Sequence, residues 1–365
     1  MTGVSRRDVI RSCCLWPALM RRVLADSTGA LGLQLAHEFS EARLLCSSPD
    51  GRKLCLEEWK ARGAPVKVVE TGTWQTLYTD RFQQRSLGAN FFADGEALFL
   101  SFVGAKGLVR EVAADIRTSQ RTERTRPYDP LEYSEQATPV DDRILVVARF
   151  GNEPRRLEFL TRLRYPDYRE LSRVTIPPAK SAARPSSDLS VSSDRSTAVY
   201  FSSSAVVCRR TDDLSIVWNR EIDGGLRAFP LAVSANGDHV AAVMARASFD
   251  GKFEHYERLY TSILDGKTGA EAARLPVFGK YGIAISPTGK LLALITDEPG
   301  EKGAVLPTVH IYDVPSGKRL GSVVHDQIPR GRRQAVLAGC GVSFTSDGKY
   351  LVTSGMMTKV WNLGD

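Results

Sequence analysis

The 365-residue sequence is short of the features that announce a membrane protein or a common enzyme. Its one apolar stretch near the N-terminus, Ser12 to Met20, is nine residues long, too short to cross a hydrocarbon core of about 30 Å. No CxxC pair occurs, and the five histidines (His37, His239, His255, His310, His325) are scattered singly with no HExxH, so no metal-ligand spacing is present. There is no Gly-x-Ser-x-Gly elbow, no Gly-x-x-x-x-Gly-Lys phosphate loop and no dinucleotide fingerprint after a strand. A nucleophile-elbow hydrolase, a P-loop nucleotidase and a dinucleotide-dependent dehydrogenase are therefore not indicated.

A strong charge on the body of the chain is also missing. The formal net charge is +7, but residues 1–25 hold five arginines (Arg6, Arg7, Arg11, Arg21, Arg22) against Asp8. The other 340 residues carry 44 basic and 41 acidic side chains, a net of only +3. A nearly balanced surface gives little reason to expect nucleic acid as a partner.

The first 25 residues have the order of an export signal: basic, then apolar, then Val23-Leu24-Ala25 before a possible cut. Ser5-Arg6-Arg7-Asp8-Val9-Ile10 resembles the twin-arginine (Tat) motif of bacterial signals, which implies export to the periplasm or medium. Cleavage near Ala25 is expected, leaving 26–365 as one domain; retention as an N-terminal amphipathic helix in a cytoplasmic protein is the alternative. Of six cysteines, Cys46, Cys55, Cys208 and Cys340 would remain. A four-residue turn at Pro49-Asp50-Gly51-Arg52 places Cys46 directly opposite Cys55, as a cross-strand disulfide or as two buried thiols.

What the chain does have is repetition. An apolar β-rich run, a polar turn of the Ser-x-Asp-Gly kind and a second apolar run recur at 44–58, 89–102, 137–150, 189–202, 231–244, 283–296 and 342–355. Asp and Asn accept local backbone hydrogen bonds in such turns, and Gly takes a positive φ without a Cβ clash. Runs such as Leu291-Leu292-Ala293-Leu294-Ile295 suit strands buried on both faces. The anchors Asp50, Asp94, Asp141, Asp194, Asn236, Thr288 and Asp347 lie 44, 47, 53, 42, 52 and 59 residues apart. The surplus over a blade of roughly 40–45 residues falls in polar stretches at 117–133, 177–188, 297–303 and 325–341, expected as loop insertions. The third copy, at Asp141-Asp142, lacks glycine.

Further runs follow the hairpins at 66–79, 214–222, 260–275, 309–324 and 359–365. Trp218-Asn219, Tyr312-Asp313 and Trp361-Asn362 stand where a WD-repeat carries its namesake dipeptide, and Thr268-Gly269 and Ser316-Gly317 match the following turn. On these residues the chain resembles the WD-repeat family, in its broader bacterial variety, since no Gly-His pair precedes the hairpins; Tyr-Val-Thr-Asn-type and TolB-like repeats stay open. The resemblance implies an all-β, seven-bladed β-propeller of four-stranded antiparallel blades. The last repeat stops after three strands, and residues 31–39 alternate like a strand without a partner, so the N-terminal strand is expected to complete the final blade and close the ring.

The resemblance implies a non-enzymatic interaction module, probing a protein or peptide partner as a monomeric disc with no cofactor and no metal. An exported propeller enzyme, lactonase-like or quinoprotein-like, with its site over the central channel, is the alternative. Two insertions are the candidate partner contacts: Lys252, Glu254, His255 and Tyr256 in an acidic and aromatic segment, and Arg330, Arg332 and Arg333 in a basic one.

Overall fold

A computed structural model describes residues 31–364, apart from 59–64, 83–85, 104–107, 128–132, 142, 153–154, 177–188, 203, 223–225, 250–253, 280–281, 301–303, 327, 329–340 and 356. Seven four-stranded antiparallel sheets form a ring, a β-propeller. Blade 1 contains β2 (Ala42–Ser47), β3 (Lys53–Glu58), β4 (Pro65–Glu70) and β5 (Thr76–Arg81). Blade 2 follows with β6 (Ser86–Phe91), β7 (Ala97–Val103), β8 (Leu108–Asp115) and β9 (Arg121–Pro127), and blade 3 with β10 (Tyr133–Asp141), β11 (Ile144–Asn152), β12 (Arg155–Arg164) and β13 (Arg169–Thr175). Blade 4 has β14 (Leu189–Val191), β15 (Thr197–Ser202), β16 (Ala205–Arg210) and β17 (Ile216–Glu221). Blade 5 has β18 (Leu226–Val233), β19 (His239–Phe249), β20 (Glu254–Asp265) and β21 (Glu271–Leu275), and blade 6 β22 (Gly282–Ile285), β23 (Leu291–Pro299), β24 (Val305–Asp313) and β25 (Arg319–Val324). Blade 7 takes β26 (Gly341–Phe344), β27 (Tyr350–Ser354) and β28 (Thr358–Asn362), and its outer strand is β1 (Gln34–Phe39), paired antiparallel with β28.

All seven hairpins of the sequence are the first two strands of successive blades. Their middle strands are buried on both faces because each blade is packed between two others. Leu98, Phe99 and Leu100 of β7, for example, divide between the cluster shared with blade 1 and the one shared with blade 3. Cys46 does face Cys55; both thiols are free, and burial and the neighbouring thiol push that of Cys55 well above its usual range.

Three expectations are corrected. The stretch 117–133 is not merely a loop, since Arg121–Pro127 forms β9. This strand is polar because it is an outer edge facing solvent, where Arg110 of β8 grips Glu123 at 2.6–2.9 Å. Tyr312-Asp313 and Trp361-Asn362 do end third strands, but Trp218 lies in the fourth strand, β17. There its indole donates to the Gly266 carbonyl of blade 5 at 2.6 Å, tying two blades together. Asp141, finally, is the last residue of β10 and pairs with Ile144, so blade 3 has a shorter turn than the others.

Candidate functional site

The turns between first and second strands all lie at one end of the blades, together with the turns between third and fourth strands. In blade 1 this turn is built by Ser48 and Asp50: Asp50 Oδ1 accepts from Ser48 Oγ at 2.6 Å and from Arg52 N at 3.0 Å, and Ser48 Oγ accepts from Lys53 N at 2.9 Å. Blades 4, 5 and 7 repeat the arrangement with Ser192/Asp194, Ser234/Asn236 and Thr345/Asp347. The residue after the Asp or Asn adopts a positive φ, and in five blades it is glycine.

Close approach adds to that need. A Cβ on Gly51 would lie 2.9 Å from the backbone nitrogens of Ser346 and Asp347 in blade 7, and one on Gly289 would lie 2.0 Å from the His239 ring in blade 5. Each such turn therefore rests on the turn of the blade before it.

Blade 4 breaks the pattern. The equivalent residue is Arg195, at φ 64. It follows the shortened turn of blade 3, which leaves room where the other turns touch. The result is a recess of about 430 Å³, lined from blade 3 by Val140, Asp141, Ile144 and Arg162 and from blade 4 by Arg195, Ser196, Thr197, Arg210, Thr211 and Asp212.

Charges in the recess are unevenly compensated. Arg210 is held by Asp212, Nε to Oδ1 at 2.8 Å, and this contact keeps the Asp212 carboxyl down at about 2. Asp141 also has a partner. Arg195 is only 8% exposed, and its Nη2 donates to the Phe91 carbonyl at 3.1 Å. Phe91 is the last residue of β6 in blade 2, so this side chain reaches across from blade 4 to blade 2. Its Nε, like that of Arg162, is buried without a hydrogen-bond partner among the described residues. Burial pulls the Arg195 guanidinium below its ordinary value. Thr211 Oγ1 donates to the Arg195 carbonyl and Ser196 Oγ to Asp194 Oδ1 at 2.8 Å, so the donors the recess offers are the guanidinium N–H groups of Arg195 and Arg162.

A smaller groove of about 190 Å³ lies along blade 3 and reaches Arg126 of blade 2. Both faces of its Phe159 are taken, by Arg149 at 5.4 Å and Arg173 at 4.6 Å. Tyr168 donates to Glu111, which Arg126 also holds at 3.0 Å.

The predicted contact residues fall elsewhere. Glu254, His255 and Tyr256 are not in a loop; they begin β20, opposite Phe249, Ser248 and Ala247. That end of blade 5 is the one away from the recess. Lys252, Arg330, Arg332 and Arg333 lie outside the described residues. The described histidines serve different local purposes. His310 Nδ1 bonds Ser322 Oγ at 2.7 Å and its Nε2 faces Glu298 at 3.4 Å, bridging three strands of blade 6. His37 stacks on Trp74, and His239 lies beneath Gly289. Among the described residues no three His, Cys, Asp or Glu side chains gather as metal ligands, and no helix is long and apolar enough to cross a membrane.

Sequence reading missed Arg195, although the signal is visible. Ser192-Ser193-Asp194-Arg195 has arginine where Ser48-Pro49-Asp50-Gly51, Ser234-Ala235-Asn236-Gly237 and Ser286-Pro287-Thr288-Gly289 have glycine.

No family model matches the chain. No curated protein matches it either. Many solved structures do, among them hydrazine synthase of Kuenenia stuttgartiensis, with a TM-score of 0.54 and 17% identity over 87% of this chain and 94% of that one. At that identity the likeness is one of fold.

Proposed function

We propose that the protein is a WD-repeat-like binding module that holds a protein or peptide partner against the turn face of the disc. The observation that carries this is the recess between blades 3 and 4, open on that face and walled by guanidinium groups from two blades. A packed disc keeps such donors at fixed spacing, which lowers the ordering cost of recognition. The workplace proposed is outside the cytoplasm, supported by the order of basic and apolar residues in 1–25. The segments around Lys252–Tyr256 and Arg330–Arg333 are proposed as secondary contacts.

Replacing the half-buried Ile144 with arginine fills the recess without touching the ring's core. Full-length wild type and Ile144→Arg, matched in melting temperature, are used to retain proteins from an extract of the native organism. A protein held by the wild type and lost from the variant supports the reading. Identical retention by both counts against the turn face as the binding surface.

A further inference from the structure

Arg195 combines three properties that a merely structural arginine does not need. Its backbone is in the left-handed region, where a side chain is strained and where this chain uses glycine in five sister turns. It is nine-tenths buried, yet one peptide carbonyl is its only hydrogen-bond acceptor and no carboxylate pairs with it among the described residues. It also lines the recess between blades 3 and 4 together with a second arginine, Arg162, whose buried Nε likewise has no partner among the described residues. The neighbouring Asp194 supplies a counter-charge but no ion pair, and a buried guanidinium nitrogen left without an acceptor is costly, so burial strengthens its attraction for any anion that reaches it.

From this we infer that the recess is an oxyanion site in which the Arg195 and Arg162 guanidinium groups hold a carboxylate or phosphate group. The guanidinium fork suits both groups, since each presents two oxygens at matching spacing. Asp212 at the rim is paired with Arg210, and Asp141 also has a partner. The inference rests on the binding-module reading and names the chemistry that the recess takes from its partner.

The test uses the full chain with inorganic phosphate or succinate, against sodium chloride at equal ionic strength. Melting temperature is followed for wild type, Arg195→Gly and Arg162→Met. The expected result is a saturable rise for the wild type, a rise at least tenfold weaker in apparent affinity for Arg162→Met, and none for Arg195→Gly, which by itself melts above the wild type. A response to phosphate alone assigns a phosphate-bearing ligand, and a response to succinate alone an acidic peptide. No rise with either anion, or an equal rise in Arg195→Gly, overturns the inference. So does an Arg195→Gly protein less stable than the wild type, because Arg195 would then be a structural brace. If the anions fail while Ile144→Arg still loses its partner, the binding module stands and only the oxyanion chemistry falls.

Discussion

Arg195 sits in a backbone conformation that costs a non-glycine residue about 1–3 kcal/mol. Replacing it with glycine removes that strain and gives up one hydrogen bond, to the carbonyl of Phe91, worth about 0.5–1.5 kcal/mol. Arg195→Gly is therefore expected to raise unfolding free energy by about 1 kcal/mol, seen as a higher urea midpoint at unchanged slope. His325 behaves in the opposite sense. It is 4% exposed, neither ring nitrogen has a partner among the described residues, and burial together with the nearby Lys359 ammonium pushes its ionisation down to about 3. Lys359 itself faces Glu38 at 3.9 Å and Asp326 at 3.7 Å. The imidazole stays neutral in the fold but takes up a proton on unfolding below its ordinary value near 6.5. Its contribution is thus complete above about pH 6.5 and is lost as pH falls toward 3, by up to about 1.4 kcal/mol per unit. Urea titrations at stepwise pH should show a flatter acid limb for His325→Leu than for wild type; parallel limbs would assign the acid sensitivity to other groups. At this scale the turn chemistry was legible in the sequence. The exception at Arg195 was written there too, but its meaning depends on which turn touches which, and that is set by the ring.

The inner hairpins were legible as elements because both of their signals are local: apolar runs buried on two faces, and a turn that caps itself. Outer strands were harder. In β9 the residues are polar because no described strand pairs with its outer edge, so periodicity cannot separate strand from loop. In blade 4 the sequence between the hairpin at 189–202 and the run at 214–222 has no glycine or proline to mark β16, so 205–210 was assigned to no strand and Trp218 to the strand before its own. The N-terminal strand was identified by counting: three strands in the last repeat and one left over at the start. β1 covers the edge of β28, and Leu33 packs in the cluster shared by blades 6 and 7. Deleting residues 30–40 would expose that edge and remove this contact. A repeat array is stabilised by the interfaces between neighbours, so one cooperative transition at a markedly lower temperature is expected. A melting curve unchanged by the deletion would show that β1 is an ornament of the ring rather than its clasp.

The whole molecule is a disc with little net charge, whose basic excess is concentrated in the first 25 residues. If those residues are an export signal, mass determination of the protein from a native-like host should find an N-terminus near Ala25. Finding Arg6 and Arg7 retained would place the disc in the cytoplasm. Ring architecture was legible at this scale because repetition is a property of the sequence itself. The recess was not legible, since it arises from a mismatch between two neighbours rather than from any one segment. That mismatch has a further consequence. Seven alike blades, each turn seated on the one before, would make a figure with nearly equal positions and nothing to distinguish one from the next. The short turn of blade 3 breaks this pseudo-symmetry once, and gives the disc an index mark. Binding at that mark is accordingly limited to one site per chain, so a titration should saturate at a stoichiometry of one, however many copies of the blade the ring contains.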